Sequence, residues 1–293
     1  MTTMTVRPRL APPRATLEAS EALGGLVSSA PVLQVEVVSK GYWRGGSYLG
    51  VLKDVSLEVA SGEVVAVIGR RLGGKSTLLE IVAGIEAPDA GTVMLAGREV
   101  RVPGRRGVWE WWAARRAGVS DPVLGHDMVL VTRDGPHREL EVAKYVGGPL
   151  AVRGSRRRDV RKLAGAALER VGASDCIGRS WGELSHYQRA LVGLARAFAG
   201  SPQLVILDDL LDAHDRRDTE TLSDILHTLV EESDGCAVLL SAGYYETAVV
   251  LARRVCSLEH GTLVHNSGPR ADAHDRPAAT VHQLHKPDSN QGG

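Results

Sequence analysis

The residues Gly69-Arg-Arg-Leu-Gly-Gly-Lys75-Ser76-Thr77 set a lysine and two hydroxyls directly after a glycine-rich turn. The spacing is G-x-x-x-x-G-K-[ST], the pattern of a loop that wraps a phosphate chain. Glycine lets backbone N–H groups close on phosphate oxygens, and the N-terminus of the following helix adds partial positive charge. In that arrangement Lys75 reaches the β- and γ-phosphates, and the Ser76 hydroxyl holds Mg²⁺. Gly69, Gly73, Gly74 and Thr77 complete the cradle.

Such a loop needs a strand before it and a helix after it. Val64-Val-Ala-Val-Ile68 is short, apolar and β-branched, as a buried strand requires. Ser76 to Ala83 reads as helix and stops at Gly84. Without that context the same residues would be an ordinary glycine-rich turn.

Three other stretches carry candidate chemistry. Leu204-Val-Ile-Leu207 is an apolar strand that ends in Asp208 and Asp209. An acid at such a strand end orients Mg²⁺ beside bound phosphates; the alternative is a strand end with solvated aspartates. Ser185-His-Tyr-Gln188 fits a capping box and predicts a helix through Ala199, with Leu191, Leu194, Ala195 and Phe198 on its apolar face. Lys40 to Tyr48 reads as a glycine-rich loop with aromatics. Tyr42 there either stacks on an adenine ring or packs a hairpin, and the stretch alone favours packing.

Strands are further expected at Leu33–Val38, Val51–Val59, Thr92–Leu95, Met128–Val131 and Cys236–Leu240, and a hairpin about His260-Gly261. A helix and loop are expected at 140–152, and helices from Arg156 to Val171, at 219–232 and at 244–252. Strands alternating with helices imply an α/β fold around a mostly parallel sheet. Residues 1–31 and 268–293 are polar or aperiodic and are expected to be disordered tails. Arg105-Arg106, Trp109, Trp111, Trp112 and Arg115-Arg116 interleave bases with aromatics. The i, i+3 spacing of Trp109 and Trp112 favours helix packing or a protein partner over nucleic acid.

Composition excludes several classes. The formal net charge of the 293 residues is zero, so no global basic field points to nucleic acid. Three scattered cysteines do not make a disulfide framework, and reduced thiols in a cytosolic protein are the simpler expectation. No apolar run approaches the ~18 residues of a membrane span, and no signal peptide is evident.

Order and spacing together are more specific than any single motif. A phosphate loop, then Leu184-Ser185-His-Tyr-Gln188, then a strand ending in Asp208 resembles the ATP-binding subunit of ABC transporters. The phrases Val51-Leu-Lys-Asp-Val-Ser-Leu-Glu-Val and Asp89-Ala-Gly91 support the resemblance, which covers about residues 32–267. It implies a P-loop NTPase of ABC type, with a mostly parallel sheet, an antiparallel β part and a helical subdomain at about 135–200. It also implies ATP and Mg²⁺ as cofactors. Tyr42 then matches the adenine-stacking aromatic, with Trp43 as a neighbouring substitute. Asp208 matches the Mg²⁺-linked acid, with Ser76 as the other metal ligand. Ser185 and Gln188 match the signature loop, which binds ATP held by the opposite subunit. Asp215 matches the last residue of the partner-contacting loop.

Departures from the family pattern are equally specific. Leu72 replaces a glycine in the phosphate loop. Asp209 replaces the glutamate that serves as general base, and is one methylene shorter. Gly243 stands where a histidine contacts the γ-phosphate. Arg133 aligns with the Mg²⁺-sensing glutamine and would meet phosphate instead. His186 and Tyr187 replace two glycines of the signature. The resemblance therefore implies retained nucleotide binding and slow hydrolysis, with Lys75 and Asp209 as its catalytic residues. The alternative is a catalytically quiet regulatory or partner subunit of a heteromeric complex. Implied partners are a second nucleotide-binding subunit and transmembrane permease subunits, with no nucleic acid and no direct membrane insertion. The implied place is the cytoplasmic face of the cell membrane.

Overall fold

The computed structural model describes residues 31–102, 123–124, 127–212 and 214–265. The stretches read as tails, apart from Pro31, and the Trp/Arg cluster between Arg105 and Arg116 lie outside the described residues.

The chain opens with a long hairpin, β1 (Leu33–Arg44) and β2 (Ser47–Val59). Strand β3 (Val64–Gly69) follows, then helix α1 (Lys75–Val82) and strands β4 (Ala90–Leu95) and β5 (Arg98–Glu99). Strands β6 (Val123–Leu124) and β7 (Met128–Thr132) lead to helices α2 (Val142–Val152), α3 (Arg157–Arg170) and α4 (His186–Phe198). Strand β8 (Leu204–Asp208), helix α5 (Arg216–Glu231), strand β9 (Ala237–Ala242) and helix α6 (Tyr245–Leu251) come next. A hairpin of β10 (Arg254–Glu259) and β11 (Thr262–His265) ends the described chain.

The central sheet has the order β11-β10-β3-β9-β8-β7-β6. The run β10-β3-β9-β8-β7 is parallel, and β11 and β6 add antiparallel edges. A second, antiparallel sheet has the order β2-β1-β4-β5.

Both faces of the central sheet are buried, and the strand period of two decides which residue faces which layer. Val65, Val67, Leu204, Ile206 and Leu239 face one core, shared with α1 and the antiparallel sheet. Val64, Ala66, Val205, Leu207, Val238 and Leu240 face the other, shared with α2 to α6. Each of the valine, leucine and isoleucine side chains contributes about 1.5–3 kcal/mol of burial.

Local chemistry sets the element ends. Helix α4 starts at a capping box: the Ser185 hydroxyl accepts from the Gln188 N–H at 3.2 Å, and Gln188 Oε1 accepts from the Ser185 N–H at 3.1 Å. Helix α5 starts at Arg216, earlier than the apolar pattern indicates, because Asp215 Oδ1 caps it by accepting from the Asp218 N–H at 2.8 Å. The Lys40–Tyr48 stretch, read as a loop, is instead the far end of the β1–β2 hairpin. Gly45 and Gly46, with φ of 57° and 82°, make the tight turn that lets both strands continue.

Ile206 is fully buried in the strand that ends at Asp208. Ile206→Ala is expected to cost about 2–5 kcal/mol and Ile206→Val only about 0.5–1.5 kcal/mol in urea unfolding. Equal, small costs for the two would contradict a close-packed site beneath the strand.

Candidate functional site

Strands β3, β7, β8 and β9 run parallel, so their carboxyl ends emerge along one edge of the sheet. The phosphate loop leaves β3 there. Gly74, the residue before α1, has φ of 102°, a conformation costly for any side chain. A Cβ at Gly74 would also meet the Val51 side chain at 2.9 Å. Lys75 is buried and folds back, with Nζ donating to the Gly69 carbonyl at 3.0 Å. Leu72 takes a left-handed φ of 61° with its side chain 97% exposed.

Asp208 ends β8 in register with Thr132 of β7. The Ser241 hydroxyl, near the end of β9, lies 2.7 Å from Asp208 Oδ1 and 3.0 Å from Asp209 Oδ1, and accepts from the Asp209 N–H at 2.8 Å. A hydroxyl has one proton, so it donates to one of these carboxylates at a time. Burial pushes the Asp208 carboxyl up, while hydrogen bonds from Ser241 and Ser76 pull it down. Ser76 and Asp208, the two expected metal ligands, are thus in hydrogen-bond contact. A half-buried carboxylate served by hydroxyls is an oxygen donor set that fits a hard divalent cation. Asp209 holds a left-handed φ of 51°, which aspartate tolerates better than most residues.

A cavity of about 760 Å³ joins these groups. Gly69, Lys75, Ser76, Arg133, Asp208 and Asp209 line it, with Asp212 and Gly243. Arg70, Arg71, Lys75 and Arg133 line it together with Asp134, Asp208, Asp209 and Asp212. Cations for phosphate oxygens and carboxylates for a metal are what a metal-bound polyphosphate would need.

Other expected residues lie around this cavity. Gly73 lines a second cavity of about 710 Å³, between the loop, β2 and the β10–β11 turn. Tyr42 is exposed and its hydroxyl bonds the Thr77 side chain, which seats the aromatic against the start of α1. Lys40 lies 5.4 Å from the Tyr42 ring and is itself paired with Glu86 at 2.6 Å and Asp89 at 3.2 Å. Trp43 packs edge-on to Tyr48 at 5.6 Å, and strand alternation turns it to the face opposite Tyr42.

Ser185 and Gln188 do not line the cavity of their own chain. Their side chains cap α4, and Arg179 Nη1 donates to Gln188 Oε1 at 3.3 Å. His186 stacks on His214 with ring centroids 4.4 Å apart, and Tyr187 meets the same ring edge-on at 6.2 Å. Burial first, and then nearby charges including Arg133, hold both imidazoles below the usual histidine range.

Ser241, Asp212 and His214 are site residues that sequence reasoning missed. Ser241 and Asp209 are 32 positions apart and meet only because β8 and β9 are neighbours. The available signal was positional: a polar residue near the carboxyl end of each buried strand.

A model of the ABC transporter family matches residues 52–211. The chain is 36% identical over 219 residues to the methionine import ATP-binding protein MetN of Caulobacter vibrioides, covering 75% of this chain and 60% of that protein. It is 31% identical over 264 residues to MetN of Bradyrhizobium diazoefficiens, covering 86% and 69%. The chain thus spans about 60% of the length of the Caulobacter relative. Its fold is similar to MJ0796, a dimeric bacterial ABC transporter cassette, with a TM-score of 0.66, 23% identity and 80% and 99% coverage. It is also similar to cbiO1 of Clostridium perfringens, with a TM-score of 0.64, 20% identity and 80% and 88% coverage. By the family match, by its relatives and by its fold, this chain belongs to the ABC transporter family as an ATP-binding cassette.

Proposed function

We propose that this chain is the ATP-binding subunit of an ABC transporter, which binds Mg·ATP and couples nucleotide-driven dimerisation to membrane partners. The observation that carries the reading is the meeting of Lys75, Ser76 and Asp208 around one cavity at the carboxyl edge of a parallel sheet. In this reading Lys75 holds the β- and γ-phosphates, Ser76 and Asp208 hold Mg²⁺, and Tyr42 covers the adenine. Arg133 contacts phosphate. Residues 32–267 form the nucleotide-binding unit, with 135–200 as its helical part and tails on either side.

Ser185 and Gln188 serve a second copy or a related subunit. Their exposed, capped helix start lies outside the cavity of their own chain, which supports a role toward a partner's nucleotide. Membrane permease subunits complete the assembly. No described helix is long and apolar enough to cross a membrane, so attachment to one falls to those partners. The proposed place is the cytoplasmic face.

Hydrolysis is slow in this reading. Asp209 is short, its Oδ1 is within reach of the Ser241 hydroxyl, and Gly243 offers the γ-phosphate no side chain. Loss of a well-placed base costs about 10²–10⁴ in rate. The stacking of His186 and Tyr187 on His214 favours a second reading, a quiet partner in a heteromeric complex.

Steady-state ATPase of the purified chain, with Lys75→Ala as control, separates these outcomes. The expected turnover is well below about 1 s⁻¹, the low end of ordinary enzymes, and disappears in the control. Turnover above that value that still depends on Lys75 would sink the slow-enzyme reading. No Lys75-dependent turnover at all, with ATP still bound, supports the quiet partner.

Metal dependence gives a separate check. Asp208→Asn is expected to raise the Mg²⁺ concentration for half-maximal tight ATP binding by about tenfold or more. Titration of nucleotide binding with Mg²⁺ measures it, and an unchanged midpoint would remove Asp208 from the metal site.

A further inference from the structure

Strand β1 pairs with β4 only as far as Ser39, opposite Ala90, where the Asp89 N–H donates to the Ser39 carbonyl at 2.9 Å. Past that pair the Asp89 side chain takes over from the backbone. The Gly41 N–H donates to Asp89 Oδ2 at 2.8 Å, and the Tyr48 hydroxyl donates to the same oxygen at 3.2 Å. Gly41 lets the phenol cross the strand, since a Cβ there would lie 2.4 Å from the Tyr48 ring.

The other oxygen, Asp89 Oδ1, accepts from Lys40 Nζ at 3.2 Å. Lys40 also donates to the Ala87 carbonyl at 2.8 Å and pairs with Glu86 at 2.6 Å, with its side chain only 10% exposed. An ammonium has three N–H donors, and here it meets three acceptors of its own chain. Its donors are thus spent inside the protein rather than offered to a phosphate.

Tyr42 follows directly on this clamp. Its ring centroid lies 5.4 Å from Lys40 Nζ, and its hydroxyl bonds Thr77 at the start of α1. The ring is therefore held at two places beside the phosphate loop, while the residue stays 38% exposed. A side chain near the open end of a hairpin would otherwise keep several orientations. Freezing one on binding costs affinity, and holding it beforehand removes that cost.

We propose that Asp89, acting with Lys40, is a positioning residue for nucleotide binding: through the Gly41 N–H and the Lys40 ammonium it fixes the Tyr42 ring in the orientation that the base of the nucleotide stacks on. Neither residue touches the nucleotide. The role rests on Tyr42 being the base-stacking ring and on the phosphate loop being the phosphate site. It makes the segment between α1 and β4 part of base binding, although that segment lies outside the phosphate cavity.

The test is equilibrium binding to the full chain of two ligands, each with Mg²⁺: a non-hydrolysable ATP analogue and inorganic tripolyphosphate, which has no base. Tyr42→Ala is expected to lose about tenfold in affinity for the ATP analogue, the scale of one base stacked on an aromatic ring, and nothing measurable for tripolyphosphate. Asp89→Ala and Lys40→Met should each lose about three- to tenfold for the ATP analogue, the cost of ordering one side chain. Both should stay within about twofold of wild type for tripolyphosphate. Adding Asp89→Ala to Tyr42→Ala should cost nothing further, because the ring through which Asp89 acts is gone. Where Asp89→Ala binds neither ligand, Asp89→Asn, which keeps an acceptor for the Gly41 N–H, is read by the same criteria.

Partial and equal loss for both ligands would make Asp89 and Lys40 ordinary supports of the fold and overturn the proposal. Full additivity with Tyr42→Ala would overturn it too, as would an ATP affinity unchanged in Asp89→Ala. Weakened tripolyphosphate binding in Lys40→Met alone would make Lys40 a phosphate ligand instead. Unchanged ATP affinity in Tyr42→Ala would remove the base-stacking reading and this one with it, leaving the phosphate loop standing. Failure of wild type to bind either ligand would overturn the phosphate-loop reading itself.

Discussion

Parallel strands buried on both faces can offer polar side chains only at their ends. The central run β10-β3-β9-β8-β7 is built this way, and apart from Ser257 of β10 its interior positions are apolar on both sides. Every group with chemistry is therefore pushed to one edge, where the chain turns into loops and helices. The phosphate loop, Arg133, Asp208 and Ser241 come from four different strands or strand ends and still meet. Their convergence is a consequence of sheet direction.

Once there, the groups regulate each other's charge. Ser241 supplies one proton to two carboxylates and also receives the Asp209 N–H. Lys75 is held on the Gly69 carbonyl, so its ammonium sits over the loop without a bonded carboxylate among the described contacts. The cavity is thus nearly balanced, with Arg70, Arg71, Lys75 and Arg133 lining it beside Asp134, Asp208, Asp209 and Asp212. Such a mixed lining suits a ligand that is itself an anion carrying a cation.

What could be read from the sequence was what local chemistry fixes. The β3-loop-α1 unit is contiguous, and its glycines and lysine stand at set offsets. The capping box of α4 uses residues three apart, and the β10–β11 turn uses His260 and Gly261, with φ of 50° and 87°. The parts that escaped depend on contacts across the sheet. Ser241 acquires its role from its place beside β8, and Asp212 from a bond to Gly243 that is 31 positions away. The aromatic stretch at 40–48 looked like a loop because glycines obscured its alternation. Its true anchor is distant: Lys40 reaches Glu86 and Asp89, and the Gly41 N–H donates to Asp89 at 2.8 Å.

The stacked imidazoles have a mechanical meaning. His186 is the first residue of α4, and His214 directly precedes Asp215, the cap of α5. Two helix starts are therefore joined ring to ring. Burial first, and then nearby charges including Arg133, disfavour the charged form of both rings, which favours stacking over repulsion at their contact. A tilt of α4 relative to the sheet must either drag the segment from Asp212 to Asp215 with it or part the rings. The ring contact thus ties the start of the helical layer to the segment that follows the acidic edge.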